Sequence, residues 1–334
     1  MIISTKSQVQ AIYNQAASRK WVLPCFCSEN LTTTEAIFAA TQDFGRAHGI
    51  KHVPIIIAIT NNYDHRSQTH NYTHTKDDKT GLRLFVNDIK ALAGPGCVYE
   101  DLHVMIHLDH IQFDLDSDLL KNDLSDFASI MYDASTLPFA ENIRMTTDFV
   151  KHHSDEIVIE GACDEIMDAT GAERNELTTA EHALLYATET GVDLIVTNLG
   201  TEHRATGKDL KYCGERAREI KAQIGTKIVL HGTSSVPNSQ VKDLFHDGIC
   251  KVNIWTALER DSAPKLFAEM VRNASKIADQ KTIEMLVEEG YLTKKCLTNE
   301  KVSLGHFTNV YRQDIVFQEM KKIVKEYLDM WYVI

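Results

Sequence analysis

Short apolar runs rich in β-branched residues alternate with longer stretches of helical period along most of the chain, the pattern of parallel βα units. The runs are Trp21–Cys27, Val53–Thr60, Leu102–Leu108, Phe127–Asp133, Glu156–Cys163, Val192–Leu199, Lys227–His231 and Cys250–Ile254. Between them the spacing predicts helices over Thr33–His48, with a Thr cap and Glu35 in its first turn, and over Leu82–Ala93, Thr179–Thr190 and Val236–His246. Eight such units predict an α/β fold of the (β/α)8 TIM-barrel type in preference to a doubly wound sheet. After Thr256 the pattern is helical to the C-terminus, at Glu259–Ile277, Lys281–Glu289 and Asp314–Met330. The expected organisation is a single domain over 1–334, with the barrel over 1–275 and a C-terminal helical extension over 276–334. Those last helices exceed what a barrel needs, which predicts packing on the barrel or on a partner subunit, and a homodimer or larger homo-oligomer.

A barrel of this kind gathers its chemistry at the C-terminal ends of its strands. The polar residues follow that demand: Asp109 and His110 after the third run, Asp133 and Ser135 after the fourth, Glu160 late in the fifth, His203 after the sixth, His231 after the seventh and Asn253 in the eighth. The segment His107-Leu108-Asp109-His110 sets a carboxylate beside an imidazole where a buried strand should end. A lone histidine there is more often structural, and the chain has 15. His65, His70 and His74 read as a solvated loop, and His152 and His153 as a helix end that suits a cation. Three histidines at equivalent strand ends, His110, His203 and His231, instead suit one metal site with positions left open for substrate.

The formal charge of −12 argues against nucleic acid or an anionic membrane as partner, because neither phosphate surface attracts an acidic protein. Seven irregularly spaced cysteines without a CxxC pair read as reduced thiols. Residues 1–20 lack the apolar core of a signal peptide, and no run approaches the roughly 20 apolar residues of a membrane helix, so the expected location is the cytoplasm.

Four segments together carry a resemblance. His107-Leu108-Asp109-His110, Met131-Tyr132-Asp133-Ala134-Ser135 with Glu141-Asn142-Ile143, Gly200-Thr201-Glu202-His203, and His231-Gly232-Thr233-Ser234 with Lys251-Val252-Asn253-Ile254 resemble, in order and spacing, motifs of the class II, metal-dependent ketose-bisphosphate aldolases, the fructose- and tagatose-bisphosphate enzymes among them. The resemblance implies that His110, His203 and His231 bind Zn2+ or another divalent metal, which stabilises an enediolate during carbon–carbon cleavage. It implies that Asp109 exchanges a proton with the hydroxyl at the carbon released, and that Asn253 donates a hydrogen bond to the enediolate. Gly232, Ser234 and Thr256 match phosphate-binding positions, although Ser234 and Thr256 also read as ordinary helix caps. Lys208 is a charge partner by proximity, and Arg204 offers a fork suited to phosphate. Arg312 is a loose analogue of a family arginine that reaches the distal end of substrate.

This chain departs from the pattern at several positions. Ile111 and Arg204 stand where the family has glycine, Ala162 where some members carry a metal-binding glutamate, Cys27 where strand one has asparagine, and Trp255 where it has a hydroxyl-binding aspartate. Asp164, Glu165, Asp168 and Glu173 all remain candidates for the group that acts on the carbon acid. The leading expectation is an aldolase that cleaves a ketose 1-phosphate or 1,6-bisphosphate into dihydroxyacetone phosphate and an aldehyde. The alternatives are a metal-dependent sugar-phosphate epimerase or isomerase, and a non-catalytic sugar-phosphate-binding homologue. Trp255 and Ala162 direct the expectation away from fructose 1,6-bisphosphate and toward a ketose phosphate with a less polar or shorter aldehyde part.

Overall fold

Runs such as Leu23–Cys27 and Pro54–Thr60, apolar at nearly every position, are buried along their whole length. Only a parallel sheet sheathed by helices accommodates that. The computed structural model describes residues 1–63, 66–165, 177–202 and 210–333, and in it eight parallel strands close into a barrel in chain order. They are β1 (Leu23–Cys27), β2 (Pro54–Thr60), β3 (His103–Gln112), β4 (Ser129–Asp133), β5 (Val158–Ala162), β6 (Leu194–Val196), β7 (Ile228–Leu230) and β8 (Ile249–Ile254). The helices of the barrel part are α1 (Lys6–Ser18), α2 (Leu31–His48), α3 (Gln68–Tyr72), α4 (Asp78–Ala93), α5 (Phe139–His153), α6 (Ala180–Thr190), α7 (Gly214–Ile224) and the single turn α8 (Asn238–Val241). Beyond β8 follow α9 (Thr256–Arg272), α10 (Ala274–Ile277), α11 (Gln280–Glu288), α12 (Leu304–Phe307) and α13 (Asn309–Trp331). The (β/α)8 barrel with a C-terminal helical part, expected from the alternation of runs, is the fold.

Among the boundaries that differ from expectation, three have clear local reasons. α2 begins at Leu31 because the Asn30 side chain accepts from the Thr33 amide, two residues ahead of the expected cap. The helix expected over Val236–His246 forms only as α8 and a 3-10 turn over Leu244–Asp247, since Asp243 has left helical geometry at φ −107° and ψ 25°. The expected Glu259–Ile277 helix is interrupted at Asn273, whose amide nitrogen bonds back to the Glu269 carbonyl.

The chain's own C-terminus packs at the N-terminal end of the barrel, beside the starts of β1 and β2. α13 packs along α2 and α9. The Trp331 indole donates to the Val241 carbonyl at 2.7 Å, the Tyr332 hydroxyl to the Pro54 carbonyl at 2.6 Å, and Tyr332 stacks on Trp21 at 4.4 Å. Among the described residues the opposite end holds a pocket. Among the described residues no helix is long and apolar enough to cross a membrane.

The one irregularity that shapes the pocket end lies in β3. Leu108 pairs with Ile130 and Ile111 with Tyr132, so three steps along β3 oppose two along β4. The extra residue is His110, held at φ 48° in the left-handed region that residues with a side chain rarely adopt. β3 was expected to stop at Leu108; it instead runs through this bulge to Gln112.

Candidate active site

In a regular strand Asp109 and His110 would point to opposite faces. The bulge turns both side chains inward, and both are buried, at 3% and 4% exposure. His110 Nδ1 lies 2.9 Å from Asp133 Oδ2, at the end of β4. A carboxylate can only accept, so Nδ1 donates and Nε2 is left with its lone pair. That Nε2 lies 3.2 Å from Nδ1 of His231, which follows β7. Asp133 is itself held, by Gln112 Nε2 at 3.1 Å and by the Ser135 amide and hydroxyl. Burial opposes ionisation of each partner, yet the pairing wins. The Asp109 and Asp133 charges hold the His110 imidazole above its ordinary pKa, and the bond from His110 holds the Asp133 carboxyl below its own.

Asp109 is fixed on both oxygens. Asn253 Nδ2, from β8, donates to Oδ1 at 2.8 Å, and the Cys27 thiol, from β1, donates to Oδ2 at 3.3 Å. Burial pushes the Asp109 carboxyl up, but His110 and His231 hold it well below the usual carboxylate range. Burial pushes the Cys27 thiol well up, with the Asp109 charge adding to it, so the sulfur is a neutral donor. Cys27, which stands where the family has its strand-one asparagine, therefore occupies a working position in the site.

Around these groups lies a pocket of about 530 Å³. Asp109, His110, His231, Gly232, Ser234, Asn253 and Thr256, seven of the residues singled out in the sequence, line it together with Cys27, Thr233 and Trp255. Gly232 sits at φ 67°, and a Cβ there would lie 2.7 Å from the Glu202 backbone, so only glycine fits the turn. Thr256 opens α9, whose N-terminus adds its dipole to this end of the pocket. Arg260 Nη2 donates to the Ser234 carbonyl at 2.8 Å and steadies the same turn. Thr233 Oγ1 and Asn253 Oδ1 are buried without a hydrogen-bond partner among the described residues, which marks them as groups awaiting a polar ligand.

The opposite wall is aromatic. The Tyr63 ring lies flat on His110, with centroids 4.3 Å apart and planes 5° from parallel. It follows Asn61 and Asn62, which are tied to the buried Asp116 carboxylate. Trp255 is pinned. Its indole N–H donates to Glu29 Oε1 at 2.8 Å, the same oxygen accepts from Arg66 Nε at 3.1 Å and Gln68 Nε2 at 3.0 Å, and the Arg66 guanidinium lies over the ring at 5.7 Å. Tyr63, Glu29, Arg66 and Gln68 were not singled out in the sequence, because their roles depend on how the loops after β1 and β2 fold back over the barrel end.

His65, His203, Arg204, Lys208, Asp168 and Glu173 lie outside the described residues. Of the other acidic candidates after β5, Asp164 Oδ2 accepts from the Thr178 hydroxyl at 2.5 Å and Glu165 is exposed. His70 and His74 are exposed, as a solvated loop requires. Arg312 bonds within its own segment, to the Phe307 carbonyl and to Asn309.

The donor set suits a metal. Among the described residues the ligand atoms of Asp109, His110 and His231 lie within 4.8 Å of one another. Two nitrogens bound tetrahedrally at about 2.0–2.1 Å stand about 3.3 Å apart, close to the 3.2 Å between the two imidazoles. The bond from His110 to Asp133 supplies the carboxylate partner that such ligands ordinarily have.

Comparison with known proteins places this arrangement. Three crystal structures share the fold: a fructose-bisphosphate aldolase from Campylobacter jejuni (TM-score 0.72, 15% identity, 99% of this chain and 95% of that chain), the YdjI aldolase from Escherichia coli K12 (0.66, 16%, 99% and 97%) and a putative fructose-1,6-bisphosphate aldolase from Coccidioides immitis (0.64, 20%, 96% and 95%). The family model of class II fructose-bisphosphate aldolases matches residues 7–331. Since that match spans nearly the whole chain, the chain belongs to the class II fructose-bisphosphate aldolase family and is a carbon–carbon lyase.

Proposed function

We propose that this aldolase is metal-dependent and cleaves a ketose 1-phosphate or 1,6-bisphosphate into dihydroxyacetone phosphate and an aldehyde. The observation that carries the reading is the convergence of His110 Nε2 and His231 Nδ1 at 3.2 Å beside a doubly held Asp109. His110 and His231, joined by His203, would hold a divalent cation, for which Zn2+ is the best match to imidazole donors, and such an ion polarises a carbonyl as a Lewis acid. Asp109 takes the proton from the hydroxyl on the carbon being released. That oxygen then forms the aldehyde C=O, while the electrons of the breaking carbon–carbon bond pass to the ketose half as an enediolate. Asn253 keeps a second amide hydrogen for the developing charge. The turn at Gly232 and Ser234 and the start of α9 at Thr256 would hold the phosphate next to the carbonyl, with Lys208 and Arg204 as further cationic partners.

Seven free cysteines, with Cys25, Cys27, Cys163 and Cys250 buried, support a cytoplasmic enzyme. Phe267, Leu304 and Val310 on the helices after β8, and Tyr291 in the turn after α11, are each more than half exposed and support a homodimer or larger homo-oligomer.

Asp109→Asn should keep its metal and lose carbon–carbon cleavage by about 10²-fold or more. Metal analysis alongside turnover checks this, and parallel loss of both would make Asp109 part of the metal shell. Asp133→Ala removes the group that orients His110 and should weaken metal affinity about 10–100-fold in a chelator competition. Unchanged affinity would detach Asp133 from the metal site.

Light scattering at working concentration should return a dimer or more, and a monomer would withdraw the role given to the exposed helices. The pinned ring of Trp255 offers substrate hydroxyls no partner, and an unpaired buried polar group costs about 1–3 kcal/mol. In a panel under saturating metal, deoxy or truncated ketose 1-phosphates should therefore exceed fructose and tagatose bisphosphates in kcat/KM. Fructose 1,6-bisphosphate as the best substrate would reduce Trp255 to rim packing.

A further inference from the structure

Directly beneath the pocket the barrel interior is polar where branched aliphatic side chains usually fill it. Lys251 (β8), Glu160 (β5) and His107 (β3) are all 0% exposed, and Ser129 (β4) is buried beside them. Lys251 Nζ stands 2.7 Å from Glu160 Oε1 and 2.9 Å from Oε2. It also lies 3.0 Å from His107 Nε2, while His107 Nδ1 lies 2.8 Å from Ser129 Oγ. None of these groups has a part in the cleavage described above.

An ammonium has no lone pair and can only donate. Burial alone would lower the Lys251 pKa, but the Glu160 and Asp109 carboxylates outweigh it and keep the group charged. His107 Nε2 must therefore present its lone pair to Lys251, and its single proton sits on Nδ1, donated to Ser129. One residue further up the same strand face, Asp109 Oδ1 lies 3.7 Å from that Nε2. In the other tautomer, an Nε2–H would face both Asp109 and Glu160, each at 3.7 Å. We propose that Lys251 is a positioning residue: by locking His107 as the Nδ1–H tautomer it denies Asp109 a donor from behind, so that Asp109 Oδ1 and Oδ2 exchange protons only with the pocket. This rests on the role proposed for Asp109, but the tautomer itself is observable without any substrate.

The test uses the purified, metal-loaded protein. Nitrogen-15 NMR of the labelled imidazoles should show His107 protonated on Nδ1, and Ser129→Ala, which leaves the ion pair intact, should not change that. In the neutral double variant Lys251→Met with Glu160→Gln, the Nε2–H form should appear. Condensation of dihydroxyacetone phosphate with acetaldehyde should then fall at least about ten-fold, the scale of one altered hydrogen bond to a charged group. Deuterium exchange from D2O into dihydroxyacetone phosphate alone, which does not use Asp109, should be unchanged. An Nε2–H tautomer in the wild-type protein, or a switch of tautomer in Ser129→Ala, overturns the proposal even if the double variant does not fold. Equal loss of condensation and exchange in a folded double variant also overturns it, by making the pair purely structural. If the wild-type protein catalyses neither reaction, the aldolase reading fails, while the tautomer measurements still decide what Lys251 does to His107.

Discussion

Strand geometry sends consecutive side chains to opposite faces, and the site exists because β3 breaks that rule once. Without the extra residue at His110, Asp109 would face the pocket and His110 would face the helices, and no pair of imidazoles would meet. The left-handed backbone at His110 costs about 1–3 kcal/mol for a residue with a side chain. The bond to Asp133, whose carboxyl is held below its ordinary pKa, returns about 1.5–3 kcal/mol. These magnitudes are similar, so the bulge persists because β4 supplies Asp133 in register. The strain and its partner form one unit.

That unit accounts for other features of the pocket rim. Gln112, returned to the inner face after the bulge, reaches Asp133, and its backbone N–H bonds to Asp116. Asp116 in turn holds Asn61 and Asn62, which carry Tyr63 onto the outer face of His110. The loops after β2 and β3 are thus braced against one carboxylate. The aromatic cover of the first imidazole is set by the same strand irregularity that exposes the imidazole to the pocket.

The barrel was legible in the sequence because eight fully buried parallel strands must be apolar along their length, and that leaves a strong signal. The strand-end residues His110, His231 and Asn253 were legible for a related reason, since a polar residue that ends such a run has little other business there, whereas Gly232, Ser234 and Thr256 were legible only through the family resemblance. The bulge was not, because nothing in His107-Leu108-Asp109-His110 distinguishes a strand that stops at Leu108 from one that continues through an extra residue. Glu29, Arg66 and Gln68 were equally hidden, since loops carry no period, and only the folded chain shows three donors sharing one Glu29 oxygen.

Trp255 and Lys251 show how differently two residues of one short segment constrain the chemistry. Trp255 stands at the rim, and its contacts come from loops after β1 and β2, which change without disturbing the barrel. A pocket wall made this way is a property of this chain and says what the substrate's far end must resemble. Lys251 lies inside the closed sheet, where three strands must supply matched polar groups at once. Removing one member of such a group strands a buried charge at about 3–5 kcal/mol, whereas replacing the pair with neutral groups is often tolerated. Lysine is therefore held at position 251 only as long as Glu160 is also present. An apolar pair would fill the same volume without the desolvation penalty, so stability alone does not explain why the charges are there; an effect on the neighbouring site through His107 does.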